Sequence, residues 1–177
     1  MNETTRITKS IRQILNFSKP VILTKEKCNI NELIEGILST SQYIVNDRKK
    51  EIKFINILEK NLKEIYIDKD QIREVLNNII NNAVQAIKEK GIIKVQTTKV
   101  NESNKDYIVI MIEDSGSGIK KEDMKNIFVP FFSTKEFGKG TGLGLAFSER
   151  VVREHNGFIK TKSEIGRGTT FLIYLPQ

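Results

Sequence analysis

Glycine occupies every second position from Gly138 to Gly144, and this run leads directly into an amphipathic helical pattern that extends to about Glu154. Alternating glycines leave successive backbone N–H groups free to surround an anion, and a helix N-terminus adds positive partial charge at the same place. The run does not follow a predicted strand, as a dinucleotide-binding loop would, and it lacks the Gly-Lys-Ser/Thr ending of a P-loop. We therefore expect a different phosphate-binding loop, formed by Gly138, Lys139, Gly140, Thr141, Gly142, Leu143, Gly144 and Leu145.

The periodicity of apolar residues predicts a mixture of helices and strands. Helical spacing predicts helices at residues 5–17, 31–48 and 141–154, and a further helix that is capped by Asp68 or Asp70 and stopped by Gly91. Extended patterns predict strands at residues 51–57, 62–67, 92–100, 107–112, 158–163 and 169–175, while residues 120–128 form a short helix at most. Helices grouped with hairpin-linked strands indicate an α+β fold in which the helices cover one face of a mixed sheet.

Composition limits the classes of function. The net charge of +7 is carried by scattered lysines without interleaved aromatic residues, so no surface for nucleic acid is predicted. The single cysteine, Cys28, cannot form an internal disulfide, which is typical of a reducing compartment. No apolar stretch approaches the roughly 20 residues that span a bilayer. We expect a soluble, cytoplasmic domain without membrane contact of its own, whether or not the full-length protein carries a membrane anchor.

Four asparagines lie close together in the helix that follows Asp68, at positions 77, 78, 81 and 82. Asparagine is a poor former of helix interiors, so the cluster points to a role beyond helix formation, although chance clustering in an asparagine-rich chain is the alternative. Asn78 and Asn82 are four residues apart and therefore share a helix face. Amide oxygens on that face are suitable ligands for Mg²⁺, whose remaining positions water and phosphate can fill.

An aspartate follows the strand predicted at residues 107–112, in the segment that runs from Glu113 to Gly118. The carboxylate of Asp114 can accept a hydrogen bond from an exocyclic amine such as that of adenine, and Gly116 and Gly118 allow the backbone to approach a flat ring. The alternative is an ordinary Asp-Ser-Gly turn.

Residues 129–142 show no periodicity, and a loop of this length in a compact domain suggests a functional lid. The phenylalanines Phe128, Phe131 and Phe132 would make a poor surface if permanently exposed, so we expect them to anchor the lid. Lys135 is then free to meet phosphate. Near the C-terminus, the tight turn before Thr169 places a hydroxyl where it can reach a base or an ordered water.

Five elements follow one another along the chain: the asparagine cluster, the Asp114 segment, the loop at 129–142, the glycine run and the turn before Thr169. In this order and spacing, they resemble the ATP-binding domain of sensor histidine kinases, within the superfamily that includes DNA gyrase and an ATP-dependent chaperone. The resemblance runs from about Asn29 to Gln177, and residues 5–20 look like the last turns of a dimerisation helix. It implies a boundary between a helix and linker at 1–20 and a catalytic domain at 21–177. It also implies a Bergerat-type α/β sandwich, with a mixed, mostly antiparallel sheet under three helices.

The resemblance implies ATP and Mg²⁺ as ligands, with Asn82 as the metal ligand and Asn78 near the phosphates. Asp114 would bind the adenine amino group, and Thr169 would lie beneath the base. The implied catalytic residues are Asn78, Asn82 and Lys135. The residues implied to contact nucleotide are Asn78, Asn82, Asp114, Gly116, Gly118, Ile119, Phe131, Phe132, Thr134, Lys135, Gly138, Lys139, Gly140, Thr141, Gly142, Leu143, Gly144, Leu145 and Thr169.

Two departures refine the expected activity. The only histidine, His155, follows the last predicted helix rather than lying in a dimerisation helix, so we expect it to be structural and not the phosphoacceptor. Where hydrolytic relatives place a glutamate that activates water, this chain has Asn78, whose amide cannot act as a general base. Glu74, one turn earlier, is a weak substitute.

The expected function is transfer of the γ-phosphoryl group of ATP to a histidine on a separate dimerisation domain. A response regulator would act downstream, and the expected assembly is a homodimer for the full kinase and a monomer for this fragment. Two alternatives share the fold, namely an ATP-gated interaction module and an anti-sigma-type serine kinase. The asparagine at position 78 disfavours ATP-hydrolysing machines, and the apparent dimerisation helix disfavours the serine kinase.

Overall fold

The computed structural model describes residues 22–47, 50–135 and 140–177. The helix predicted at residues 5–17 lies outside these ranges, as do Gly138 and Lys139. Helix α1, Ile30–Asp47, begins after Asn29, whose side-chain oxygen accepts a hydrogen bond from the Asn31 backbone N–H at 3.0 Å. A short strand, β1, Glu26–Cys28, precedes helix α1, and Asn29 is the one residue between them.

Helix α2, Lys69–Ala86, supplies the main apolar stripe of the core. Asp68 and not Asp70 caps it, since its side chain accepts from the Gln71 backbone N–H at 3.0 Å. The expectation that Gly91 stops this helix is wrong, because the chain already turns to extended geometry at Ile87. At this end the Lys50 ammonium donates to the carbonyls of Val84 and Ile87, supplying the positive charge that the last turn lacks.

The main sheet has five strands, at Glu51–Ile57 (β2), Lys90–Glu102 (β4), Lys105–Asp114 (β5), Phe158–Glu164 (β6) and Gly168–Pro176 (β7). They lie side by side in the order β2-β4-β5-β7-β6. The β2–β4 pair is parallel and the other three pairs are antiparallel, as expected for a mixed, mostly antiparallel sheet. Residues Ser103 and Asn104, both with positive φ, form the tight turn between β4 and β5.

Two of the predicted bounds are corrected, those of the strand at 62–67 and of the last helix. The strand predicted at 62–67 is shorter, β3, Ile65–Ile67, because its partner β1 offers only three residues for pairing. Residues 121–128 form successive turns, which agrees with the expectation of a short helix at most. Helix α3, Gly144–Glu154, begins later than Thr141, because Gly142 has a φ of +67°, which lies outside helical geometry.

The three helices of the described residues pack on one face of the main sheet, and buried residues of helices and strands form one core between them. The expected α/β sandwich is confirmed. On the other face, the rings of Tyr107, Phe158 and Tyr174 form a smaller cluster. Within the ranges that the structure describes, no helix is both long enough and apolar enough to cross a membrane.

Candidate functional site

Asp114 is the last residue of β5, and only 4% of its surface is exposed. Its Oδ1 accepts from the backbone N–H of Gly116 at 2.8 Å. Burial raises the pKa of this carboxyl, and the backbone N–H groups of Gly116 and Thr169 partly oppose that rise. A buried carboxyl at the open end of a strand is suited to accept a hydrogen bond from a donor on a ligand.

Asp114, Thr169 and Ser163 are successive partners across β5, β7 and β6, and they form one row at the same end of the sheet. The Ser163 Oγ accepts from the backbone N–H of Ile119 at 2.8 Å and lies 2.9 Å from the Thr169 Oγ1. Ile119 therefore joins the row from the loop after Gly118. The structure thus brings together Asp114 and Thr169, which were expected to contact the base, while Ser163 was not predicted.

The turn before β7 depends on close backbone contact at Gly168. This residue has a φ of +107°, and a Cβ added to it would lie 1.8 Å from the Asp114 carbonyl oxygen. No other residue can therefore hold β7 this close to the end of β5. Gly116 lies against the end of α2, where its neighbour Ser117 donates a backbone hydrogen bond to the Ala86 carbonyl at 3.1 Å.

The opposite end of the site is formed by α2 and the start of α3. A Cβ added to Gly144, the first residue of α3, would lie 3.6 Å from the Asn78 side-chain oxygen, so Asn78 faces the N-terminus of that helix. One turn later, the Asn82 Oδ1 accepts from the Lys135 ammonium at 2.9 Å. Asn77, by contrast, lines a groove between α1 and α2, so the asparagine cluster divides between two faces.

The same ammonium of Lys135 also donates to the Oε1 of Gln85. Gln85 was missed in the sequence, although it lies seven residues after Asn78 and therefore on the same helix face. Lys135 is exposed as a residue, and burial of its ammonium against α2 lowers its pKa. The described part of the loop thus places a cation directly against the amide oxygens of α2.

The two sides of the loop meet where the Phe131 backbone N–H donates to the Gly142 carbonyl at 3.1 Å. The phenylalanines do not share one role, because Phe128 packs against the core and Phe132 is half-buried, whereas Phe131 is 66% exposed. Phe131 is therefore not packed as an anchor, whereas Phe128 and the half-buried Phe132 keep the packing that an anchor requires. Phe131 also has a φ of +67°, a strained geometry for a bulky residue.

The remaining predicted residues of the loop fall on both sides of this contact. Thr134 and Gly140 are exposed, and Thr141 and Gly142 are half-buried. Leu143 is buried at the start of α3, and Leu145 packs against the core. The described residues contain no group of three His, Cys, Asp or Glu side chains that could hold a metal ion by themselves. A metal at Asn82 would therefore need most of its oxygen ligands from a bound ligand and water.

His155 ends α3 and is 2% exposed. Its Nε2 accepts from the Asp68 backbone N–H at 2.9 Å, and its Nδ1 lies 2.8 Å from the Val151 carbonyl, so Nδ1 carries the proton. The histidine is structural, as expected, but it acts as a neutral tie between α3 and the start of α2 and not through a charge near a helix end. Both ring nitrogens are engaged, which leaves none for phosphoryl transfer.

This tie predicts a pH dependence of stability. Burial is the main cause that lowers the pKa of His155; Lys25 also lowers it, and Val151, Asp68 and Glu154 oppose it. The unfolded chain takes up a proton near pH 6.5 that the native histidine does not, so stability falls as the pH falls below that value, by at most about 1.4 kcal/mol per pH unit. Urea unfolding between pH 7.5 and 5.5 measures this as a difference between the unaltered chain and His155→Gln. Parallel pH profiles of the two proteins would contradict it.

Residues 67–177 match the family model described as histidine kinase-, DNA gyrase B-, and HSP90-like ATPase. The chain is 36% identical over 174 residues to the sensor histidine kinase ZraS of Salmonella typhi, covering 98% of this chain and 36% of that protein. It is 39% identical over 176 residues to the signal transduction histidine-protein kinase AtoS of Escherichia coli, covering 99% of this chain and 28% of that protein.

A solved structure of histidine kinase ThkA in complex with the response regulator protein TrrA matches with a TM-score of 0.78 and 27% identity, covering 99% of this chain and 48% of that chain. The chain thus spans about a third of the length of the curated relatives named above. These relatives are histidine kinases, which favours the expected function over both alternatives. The chain therefore belongs to the family of histidine kinase-, DNA gyrase B- and HSP90-like ATPases, as an ATPase domain of the sensor histidine kinase type.

Proposed function

We propose that this domain binds Mg²⁺-ATP and transfers its γ-phosphoryl group to a histidine on a separate dimerisation domain. The observation that carries the proposal is that α2 connects two chemically different ends of one site. Near Ala86 it supports the loop of Asp114, which accepts hydrogen bonds, and near Asn78 it faces the N-terminus of α3. An adenine amine suits the first end, and phosphates suit the second.

The spacing of the two ends supports a nucleotide as the ligand. Asn78 and Ala86 are eight residues apart on α2, which corresponds to about 12 Å along the helix axis. A nucleoside triphosphate is long enough to bridge such a span. Between the two ends, the Lys135 ammonium lies against Asn82 and Gln85, where it can meet the phosphates.

The donor set at Asn82 suits Mg²⁺ that arrives together with the nucleotide. Mg²⁺ prefers oxygen ligands and is commonly bound by few protein groups, with substrate phosphates and waters completing its shell. The Asn82 oxygen already faces a cation, the Lys135 ammonium. When bound, the metal would neutralise phosphate charge, while Asn82 orients it and Lys135 adds a second positive charge.

The protein residues act in catalysis by positioning and by stabilising charge. Transfer breaks the bond between the γ-phosphorus and the bridging oxygen, forms a bond to the acceptor imidazole nitrogen, and leaves ADP. Asn78 cannot remove a proton from water, which protects ATP from hydrolysis. Partial burial of its carboxyl raises the pKa of Glu74, but Glu74 lies one turn before Asn78, which is the residue that faces Gly144.

The acceptor histidine must come from another segment, because His155 is buried and both its nitrogens are engaged. ThkA binds a response regulator, and we propose that the kinase containing this domain also passes its phosphoryl group to one. We further propose that the fragment is monomeric, that the full kinase is a homodimer, and that the domain works in the cytoplasm, where ATP is available.

The test is a labelling experiment with γ-labelled ATP. The chain alone should remain unlabelled, and acid-labile label should appear when the histidine-bearing dimerisation domain of the same kinase is added. Asp114→Asn should weaken nucleotide binding by about tenfold to a hundredfold, because it removes one charge-assisted hydrogen bond. Labelling at low ATP concentration should fall accordingly.

Two outcomes would contradict the proposal. Label on His155 in the isolated chain would show that acceptor and catalytic groups lie in one domain. Nucleotide binding without any transfer to the dimerisation domain would instead favour an ATP-gated interaction module. Glu113→Gln is a matched control, because Glu113 is the exposed neighbour of Asp114 on the opposite face of β5 and should not alter labelling.

A further inference from the structure

Ser163 makes three hydrogen-bonding contacts with the residues that surround Asp114. Its Oγ accepts from the Ile119 backbone N–H at 2.8 Å, lies 2.9 Å from the Gly168 carbonyl oxygen, and lies 2.9 Å from the Thr169 Oγ1. A serine hydroxyl has one proton and two acceptor lone pairs, so these contacts use its full capacity. The hydroxyl therefore has no freedom left to reorient.

The contacts fix which atom donates to which. The Gly168 carbonyl can only accept, so the proton of Ser163 must point to it. The contact between the two hydroxyls then has to use the proton of Thr169, which points toward Ser163. Thr169 is 5% exposed, so water does not compete freely for this hydroxyl.

The strand order determines on which side of β7 the Thr169 hydroxyl donates and on which side it can accept. Strand β7 lies between β5 and β6, so Thr169 has Asp114 on one side and Ser163 on the other. Because the proton of Thr169 is directed to the β6 side, its lone pairs remain for the side of Asp114. The carboxyl of Asp114 receives the Gly116 N–H and the backbone N–H of its strand partner Thr169, so the two side chains are direct neighbours. Two hydrogen-bond acceptors, the Thr169 hydroxyl and the Asp114 carboxyl, therefore lie side by side.

We propose that Ser163 is a positioning residue that orients the Thr169 hydroxyl as an acceptor, so that the base pocket selects a purine with a 6-amino group over one with a 6-oxo group. This inference rests on the proposed nucleotide-binding function. A 6-oxo group would place its own lone pairs against those of Thr169 and Asp114, whereas a 6-amino group donates to them. Without Ser163, the Thr169 hydroxyl can turn and donate to a 6-oxo group, so selectivity falls.

The test measures ADP and inosine diphosphate binding by calorimetry for the whole chain and three variants. The unaltered chain should prefer ADP, and Ser163→Ala should reduce that preference by about tenfold, partly through tighter binding of inosine diphosphate. Thr169→Val should also reduce the preference but should not tighten inosine diphosphate binding. Thr161→Val is the matched control, because Thr161 lies on the same face of β6 with a buried hydroxyl that has no hydrogen-bond partner in the described structure. This control should keep the preference of the unaltered chain.

An unchanged preference in a folded Ser163→Ala variant would overturn the inference while leaving nucleotide binding intact. If Ser163→Ala does not fold, Thr169→Val decides the question, and an unchanged preference in that variant overturns the inference. Failure of the unaltered chain to bind ADP would overturn the proposed function as well. Rescue of inosine diphosphate binding by Ser163→Ala alone is a result that a purely structural role for Ser163 would not produce.

Discussion

Gly168→Ala is expected to destabilise the domain by about 3 to 5 kcal/mol and to abolish measurable nucleotide binding. The added Cβ would lie 1.8 Å from the Asp114 carbonyl oxygen, and the φ of +107° is unfavourable for any residue with a side chain. To relieve the contact, β7 must move away from β5 at the row that contains Asp114 and Thr169. Urea unfolding and calorimetry with ADP measure the two effects.

Gly166→Ala is the control for this prediction, since Gly166 lies in the same turn. Its φ of +78° is also positive, but nothing lies within 4 Å of an added Cβ. Only the backbone cost of about 1–2 kcal/mol applies there, and nucleotide binding should persist. Equal destabilisation by the two substitutions would show that backbone strain, and not the contact with Asp114, accounts for the effect at Gly168.

Lys135→Met is expected to lower the rate of phosphoryl transfer at saturating ATP by about a hundredfold to a thousandfold. The ammonium lies 2.9 Å from the Asn82 oxygen, where it can stabilise charge that develops on the transferred group. Because charge stabilisation matters most in the transition state, ADP affinity should change by less than about tenfold. Single-turnover transfer to the dimerisation domain measures the rate, and calorimetry measures the affinity.

Lys125→Met is the matched control, because Lys125 is an exposed lysine on the turns that precede the loop. It removes one positive charge from an exposed position and should leave the transfer rate unchanged. If Lys135→Met weakens ATP binding but transfers normally at saturation, Lys135 binds substrate without contributing to the chemical step.

Local patterns were sufficient for the parts of the site that lie on a single element. The spacing of Asn78 and Asn82 places them on one face of a helix. In the structure Asn78 faces the start of α3, and Asn82 contacts Lys135. The layer of helices on one face of a mixed sheet also follows from periodicity, because apolar stripes on helices and alternation on strands leave few ways to share one core, while the α/β sandwich was implied by the family resemblance.

Features that depend on partners distant in sequence could not be predicted in this way. The position of Ser163 beside Thr169 depends on the register of β6 with β7, which no local pattern encodes. Gln85 lies on the correct helix face, but a polar residue there is common on any surface helix. Glycine often ends helices, so the local pattern predicts a helix stop at Gly91, whereas Gly91 lies inside β4.

Strand β7 is the last of the described elements to be synthesised, yet it lies between β5 and β6 in the sheet. During synthesis on the ribosome, Asp114 is therefore part of the chain well before Gly168 and Thr169, which lie beside it in the finished sheet. Until then β5 has an unpaired edge, which chaperones recognise and which can aggregate. Nucleotide that binds only the finished sheet would then stabilise completed molecules selectively, by mass action.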